Sequence, residues 1–141
     1  MLCLIFHFPH SVDGCADGNG GSFHSDESLD KIVVKAKNSG SVLQRGMTAT
    51  IVATAYVYST SNYADFFYAA DASNPSWEYI GTVNPPTGGV IADLTMDYTV
   101  PVGSETQAVR VQFRLGGGSS TTDPCLSGSY NDRDDVVFAV L

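Results

Sequence analysis

Apolar and polar residues alternate along several segments of the chain, and this two-residue period is the strongest constraint on its fold. In the segment 107–115, Val109, Val111 and Phe113 occupy every second position, with polar side chains between them. Successive side chains of a β-strand point to opposite faces of the sheet, so this pattern is typical of a strand with one apolar face. No segment shows the 3.6-residue spacing of an amphipathic helix, and we therefore expect an all-β protein.

The alternating or apolar segments predict seven strands, at 29–37, 47–58, 65–70, 77–83, 94–100, 107–115 and 136–141. The stretches between them are rich in Gly, Pro, Asn and Ser, which favour turns. Because each sheet must bury its apolar face, strands with this spacing indicate two packed layers. The sequence predicts a two-sheet antiparallel β-sandwich, a jelly roll of about 7–8 strands.

Length and charge narrow the functional classes. With 141 residues the chain has room for one core, and we divide it into an apolar N-terminal arm at 1–12 and a sandwich domain at 13–141. The net charge of −8 would repel a phosphate backbone, so nucleic acid is a poor partner. No stretch approaches the roughly 18 to 20 apolar residues of a membrane span.

Acidic residues crowd together at two places, before the strands predicted at 29–37 and 136–141. Like charges at such density are unfavourable without a cation, and Ca²⁺ takes about six to eight oxygen ligands from carboxylates, amides and carbonyls. The candidate ligands are Asp13, Asp17, Asn19, Asp26, Asp132, Asp134 and Asp135. Their spacing does not fit the 12-residue calcium loop of EF-hands, so solvated turn residues are the alternative.

Two of the three cysteines lie beside these acidic clusters. A bridge between Cys15 and Cys125 would close a loop of about 110 residues and hold both clusters together. Such a bridge implies an oxidising compartment, so we expect a secreted, extracellular protein. Cys3 lies in the arm, where it is either buried and inert or paired between chains.

The arm and the tyrosines are the candidate contact residues. The apolar side chains of the arm are Leu2, Leu4, Ile5, Phe6 and Phe8. They form either a strand of their own domain or a strand added to a neighbouring subunit. Tyr56 and Tyr58 share the polar face of their strand, where aromatic rings stack on sugars or pack against neighbouring strands. Arg110 and Arg114 point outward from another strand, towards acidic neighbours or a ligand.

Catalysis finds little support in the sequence. All three histidines lie in the first 24 positions, and motifs of zinc proteases, serine hydrolases and nucleotide-binding loops are missing. Asp134 and Asp135 do not form an acid/base pair, because adjacent strand residues point to opposite faces. We expect a protein that is not an enzyme.

Three segments carry a resemblance to a known family. The segments 68–81, 98–101 and 107–114 read YAADASNPSWEYIG, YTVP and QAVRVQFR. Their order resembles the layout of galactose-binding-like jelly rolls of the discoidin type. The ending at 128–140, GSYNDRDDVVFAV, is similar to that of non-catalytic modules appended to secreted bacterial peptidases. The resemblance implies a calcium-supported sandwich whose role is attachment.

Two functions follow as expectations. In the first, the chain is an extracellular, calcium-stabilised structural or adhesion subunit that self-associates, with the arm as the contact. In the second, it is a carbohydrate-binding accessory module of a secreted hydrolase or peptidase, with Tyr56 and Tyr58 in contact with a glycan or the extracellular matrix.

Overall fold

The computed structural model describes residues 6–8 (backbone only), 11–16, 24–38, 40, 42–116, 120–128 and 130–141. The strands are β1 (Phe6–Phe8), β2 (Ser28–Ala36), β3 (Thr48–Val57), β4 (Asn62–Ala69), β5 (Trp77–Val83), β6 (Val90–Thr99), β7 (Thr106–Leu115) and β8 (Asp132–Ala139). These described residues include no helix of the length and apolarity that crossing a membrane requires.

The strands form two antiparallel sheets, which confirms the two-sheet β-sandwich. The larger sheet has the order β1-β8-β7-β4-β5, and the smaller has the order β2-β3-β6. Three sequential pairs, β2–β3, β4–β5 and β7–β8, are neighbours within one sheet. The chain changes sheet between β1 and β2, β3 and β4, β5 and β6, and β6 and β7.

The core lies between the two sheets. On β3, every second residue from Ala49 to Val57 is completely buried. These mostly small side chains belong to the same apolar cluster as Phe66, Phe113 and Phe138 of the larger sheet. The apolar alternation therefore correctly predicted which side chains of β3 point into the core.

Three strands begin three or more residues earlier than predicted, and one of them is β4, which starts at Asn62 rather than at 65. β6 starts at Val90 rather than at 94, and β8 starts at Asp132 rather than at 136. The early part of β8 carries four charged residues, a composition that read as a loop. It is a strand because these residues pair with β7, Asp132 opposite Phe113 and Asp135 opposite Arg110.

The backbone of the arm extends the larger sheet. Phe6–Phe8 pairs antiparallel with Asp135–Val137 of β8 in the same chain. This is the first of the two alternatives for the arm, a strand of its own domain. Leu2, Leu4 and Ile5 lie outside the described residues.

Candidate functional site

A layer of buried charged and polar side chains covers the outer face of the larger sheet. We call this set the arginine layer; it consists of Asp65, Arg110, Gln112, Arg114, Arg133 and Asp135. Strand pairing brings these residues together, since Gln112 lies opposite both Arg133 and Asp65, and Arg110 lies opposite Asp135. Every member is at most 1% exposed. The outward direction predicted for Arg110 and Arg114 is correct, but neither side chain reaches solvent.

Two irregular segments bury the arginine layer. We call the segments 11–16 and 120–128 the loop cover. A disulfide between Cys15 and Cys125 joins them, with the two Cα atoms 5.8 Å apart, which confirms the predicted bridge. The cover also accepts hydrogen bonds from the layer, because Arg133 donates to the carbonyl oxygens of Ala16 and Leu126.

Arg110 is the centre of the layer. Its Nε donates to Oδ1 of Asp135 at 2.7 Å, and its Nη2 donates to Oδ2 of Asp135 at 2.8 Å and to Oδ1 of Asp13 at 2.7 Å. Its Nη1 donates to the carbonyl oxygen of Pro124 at 2.9 Å. The Cζ atom lies 4.2 Å from the ring centroid of Trp77, a cation–π distance. Trp77 therefore packs on the outer face of the larger sheet, against Arg110 and Asp13.

This geometry shifts two pKa values in the direction of the charged forms. Burial opposes the charge of Arg110, but hydrogen bonds to Asp135 and Asp13 outweigh it and raise the pKa of the guanidinium. Burial likewise opposes the charge of Asp13, yet the bonds from Arg110 and from Nε1 of Trp77 lower its pKa to about 2. Both groups are therefore ionised at neutral pH, as a charge-assisted pair requires.

The second ion pair of the layer joins β7 to β4. Arg114 donates from Nε to Oδ2 of Asp65 at 2.6 Å and from Nη2 to Oδ1 at 3.2 Å. The hydroxyl of Thr82 donates to the same carboxylate at 2.6 Å, and the Tyr63 ring centroid lies 4.9 Å from Cζ of Arg114. Gln112 links this pair to Arg133, whose Nε donates to the Gln112 side-chain oxygen at 3.1 Å. The buried guanidinium groups of Arg110 and Arg114 are thus each paired with a buried carboxylate.

The predicted calcium ligands do not converge among the described residues. Asp13 and Asp135 do meet, but on the guanidinium of Arg110. Asp132 accepts the backbone N–H of Leu29 at 2.6 Å, and strand alternation places Asp132 and Asp134 on the face of β8 opposite to Asp135.

The remaining candidate ligands, as far as the structure describes them, do not form a metal site either. Asp26 precedes β2, and Asp17 and Asn19 lie outside the described residues. In the described part of the chain, no three His, Cys, Asp or Glu side chains are placed to hold a metal ion. Calcium binding stays a prediction.

The predicted ligand-binding tyrosines lie at one end of the smaller sheet. The Tyr56 ring is half-buried and stacks on His24, with ring centroids 5.3 Å apart. His24 in turn lies 2.8 Å from Asp30, measured from Nε2 to Oδ2. Tyr58 is 54% exposed. Asp30 belongs to the first acidic cluster of the sequence, but sequence reasoning did not connect it or Tyr56 with His24, because no periodicity marks the turn that carries His24.

Glu27 is a buried group that the sequence pattern did not single out. It is only 3% exposed, and its Oε1 atom has no hydrogen-bond partner among the described atoms. Burial raises the pKa of its carboxyl, and the nearby charge of Asp26 adds to this rise. The folded state therefore disfavours the ionised form of Glu27 at neutral pH.

The change Glu27→Gln is expected to raise Tm by a few degrees at pH 7, because it removes a charge that folding desolvates. The ionised carboxyl destabilises the fold above its ordinary pKa of 4.5, and this effect disappears below that pH, where both states are protonated. Thermal unfolding at pH 7 and pH 3.5 measures the difference. Glu78→Gln, at an exposed position, is the matched control. A gain of equal size at both pH values would contradict the proposed cause.

No protein-family model, no curated protein and no solved structure matches the chain.

Proposed function

We propose that the chain is a non-enzymatic structural or adhesion module of the extracellular space, and that it self-associates. The arginine layer is the observation that supports this proposal most. Arg110 and Arg133 donate hydrogen bonds to the carbonyl oxygens of Pro124 and Leu126 in the loop cover, and these bonds hold the cover in place. Arg114 donates to Asp65 of the layer itself. The charged side chains of the arginine layer thus stabilise the fold, and they are buried from solvent.

The disulfide supports the extracellular part of the proposal. A bridge between residues 110 positions apart persists in oxidising compartments and is rare where thiols are kept reduced. Such a cross-link, together with buried ion pairs, suits a module that must stay folded outside the cell.

The arm supports the self-association. β1 contributes only three residues to the edge of β8, and its pairing is made by main-chain hydrogen bonds that do not depend on sequence. The arm of a neighbouring copy can therefore make the same pairing with β8, as in strand addition or strand exchange.

Removal of residues 1–10 is expected to reduce self-association, because it removes the strand that one copy would donate to another. Sedimentation of the full chain and of the shortened chain over a range of concentrations measures this. Urea-induced unfolding of the shortened chain checks that the sandwich remains folded. A full chain that is monomeric at every concentration would overturn the proposal.

A carbohydrate-binding module is the second candidate. Tyr58 is exposed and follows Tyr56 by two positions in the sequence, and the Tyr56 ring stacks on His24. Exposed aromatic rings of this kind suit stacking on a sugar. A glycan array probed with the full chain is its direct test.

A further inference from the structure

β6 is an edge strand of unusual regularity. It pairs with β3 at ten successive positions from Val90 to Thr99 without a register shift. Just beyond its end, the N–H of Val100 donates to the carbonyl oxygen of Met47 at 2.9 Å. Hydrogen-bonded pairs alternate along an antiparallel ladder, so the even-numbered residues of β6 bond to β3. The N–H and C=O groups of 91, 93, 95, 97 and 99 therefore point away from β3, and we call that side of β6 the open edge.

β2 and β5, two of the other edge strands, carry features that hinder pairing with a further strand, and the third, β1, is only three residues long. β2 presents the exposed Lys31 and Lys35 and has a register shift after Leu29. The β4–β5 pairing shifts between Phe66 and Phe67, and prolines at 85–86 follow β5. Lysines, bulges and prolines are the usual protections of sheet edges, and β6 has none of the three.

The two carboxylates of β6 are held away from its open edge. The hydroxyl of Thr54 donates to Asp93, and the hydroxyl of Thr50 donates to Asp97, each at 2.6 Å. Lys37 also reaches Asp97, with Nζ and Oδ2 2.6 Å apart. Because these partners belong to β3 or lie just after β2, both carboxylates lean across their own sheet. Their repulsion of an incoming strand is reduced accordingly.

Exposed apolar side chains lie at the start of the same strand. Ile91 is 57% exposed and Val90 is 38% exposed, and they lie opposite Tyr56 and Val57 in the ladder. Contact with another apolar strand would remove this surface from water, and a regular unprotected edge with such residues is a template for pairing.

We propose that β6 pairs antiparallel with β6 of a second copy of this chain, so that two smaller sheets form one six-stranded sheet. This inference rests on the proposed self-association and adds a second contact surface, separate from the arm. The pairing is isologous, because a two-fold axis relates the two strands. A register centred on Leu94 sets Asp93 opposite Thr95 of the second copy, and Ile91 opposite its Asp97. That register avoids placing like charges directly across from each other.

The change Thr95→Pro is expected to weaken the dimer on the order of tenfold or more, because each two-fold interface loses two N–H donors. Proline is tolerated on an edge strand where the N–H faces away from the sheet, so the monomer should stay folded. Thr95→Val keeps the N–H and should associate as the unchanged chain does. Sedimentation measures the dissociation constants, and higher salt should strengthen association because two copies of net charge −8 repel each other.

Hydrogen exchange of the unchanged chain gives a second readout that needs no variant. The amides of 91, 93, 95, 97 and 99 are expected to become protected as the protein concentration rises, while those on the free side of β2 are not. Exchange at these five amides that is independent of concentration would overturn the inference. Association that survives Thr95→Pro but is lost without residues 1–10 would also overturn it, and would leave the proposed function standing. A chain that is monomeric throughout would overturn both.

Discussion

The change Arg110→Met is expected to lower the free energy of unfolding by about 3 to 5 kcal/mol. The cause is the charge that remains, because Asp135 is fully buried and would lose both of its bonds from the guanidinium. Asp13 would lose its bond as well. Urea-induced unfolding measures the loss, and Trp77, the single tryptophan and a ring partner of Arg110, reports it by fluorescence.

The matched control is Arg45→Met. Arg45 is exposed and donates to the carbonyl oxygen of Gly103 at 3.0 and 3.2 Å, so its loss should cost less than about 1 kcal/mol. The double change Arg110→Met with Asp135→Asn removes the unpaired carboxylate too, and should cost less than the sum of the two single changes. If Arg110→Met costs no more than Arg45→Met, the arginine layer does not stabilise the fold as described.

The alternation of residues along β7 was sufficient to place its side chains on the correct faces, but it did not predict their burial. Val109 faces the core and Arg110 faces the other way, as expected. Period-two patterns report which residues share a face and carry no information about what covers that face. Here the covering segments, 11–16 and 120–128, are irregular and have no period to recognise. A charged outward face and a buried charged face look the same in sequence.

The sequence likewise did not reveal which positive charge neutralises the carboxylates of the acidic clusters. Carboxylates close together in sequence indicate that a cation neutralises them, and Ca²⁺ was the expectation. For Asp13 and Asp135 the structure supplies the guanidinium of Arg110, which lies 97 and 25 positions away in sequence. The pairing of β7 with β8 brings Arg110 opposite Asp135, and the fold of the loop cover over the sheet brings Asp13 to the same guanidinium. The Cys15–Cys125 bridge was predictable because disulfide partners belong to a small set of residues, whereas a carboxylate has many candidate partners.

Loss of the disulfide is the second large effect that we expect. In the chain-entropy model a cross-link across about 110 residues contributes about 4 to 5 kcal/mol, because it restricts the unfolded chain. The double change Cys15→Ala with Cys125→Ala should lower the free energy of unfolding by about that amount. Cys3→Ala, which leaves the bridge intact, is the control for the loss of a cysteine. The unchanged chain unfolded in reductant should match the double variant, and equal stability of the oxidised and bridge-free chains would contradict the prediction.

We expect the contributions of the disulfide and of Arg110 to the free energy of unfolding to depend on each other. The size of this coupling shows whether the bridge acts only on the unfolded chain or also on the folded loop cover. The loop cover carries both Asp13 and the Pro124 carbonyl, which accept hydrogen bonds from Arg110. If the bridge also holds the cover against the folded sheet, its loss lets the cover open, and Arg110→Met then costs less in the bridge-free chain. A coupling of about 1 kcal/mol or more in this double-mutant cycle is the expected result. Strict additivity would mean that the bridge acts on the unfolded chain alone and that the arginine layer holds its cover unaided.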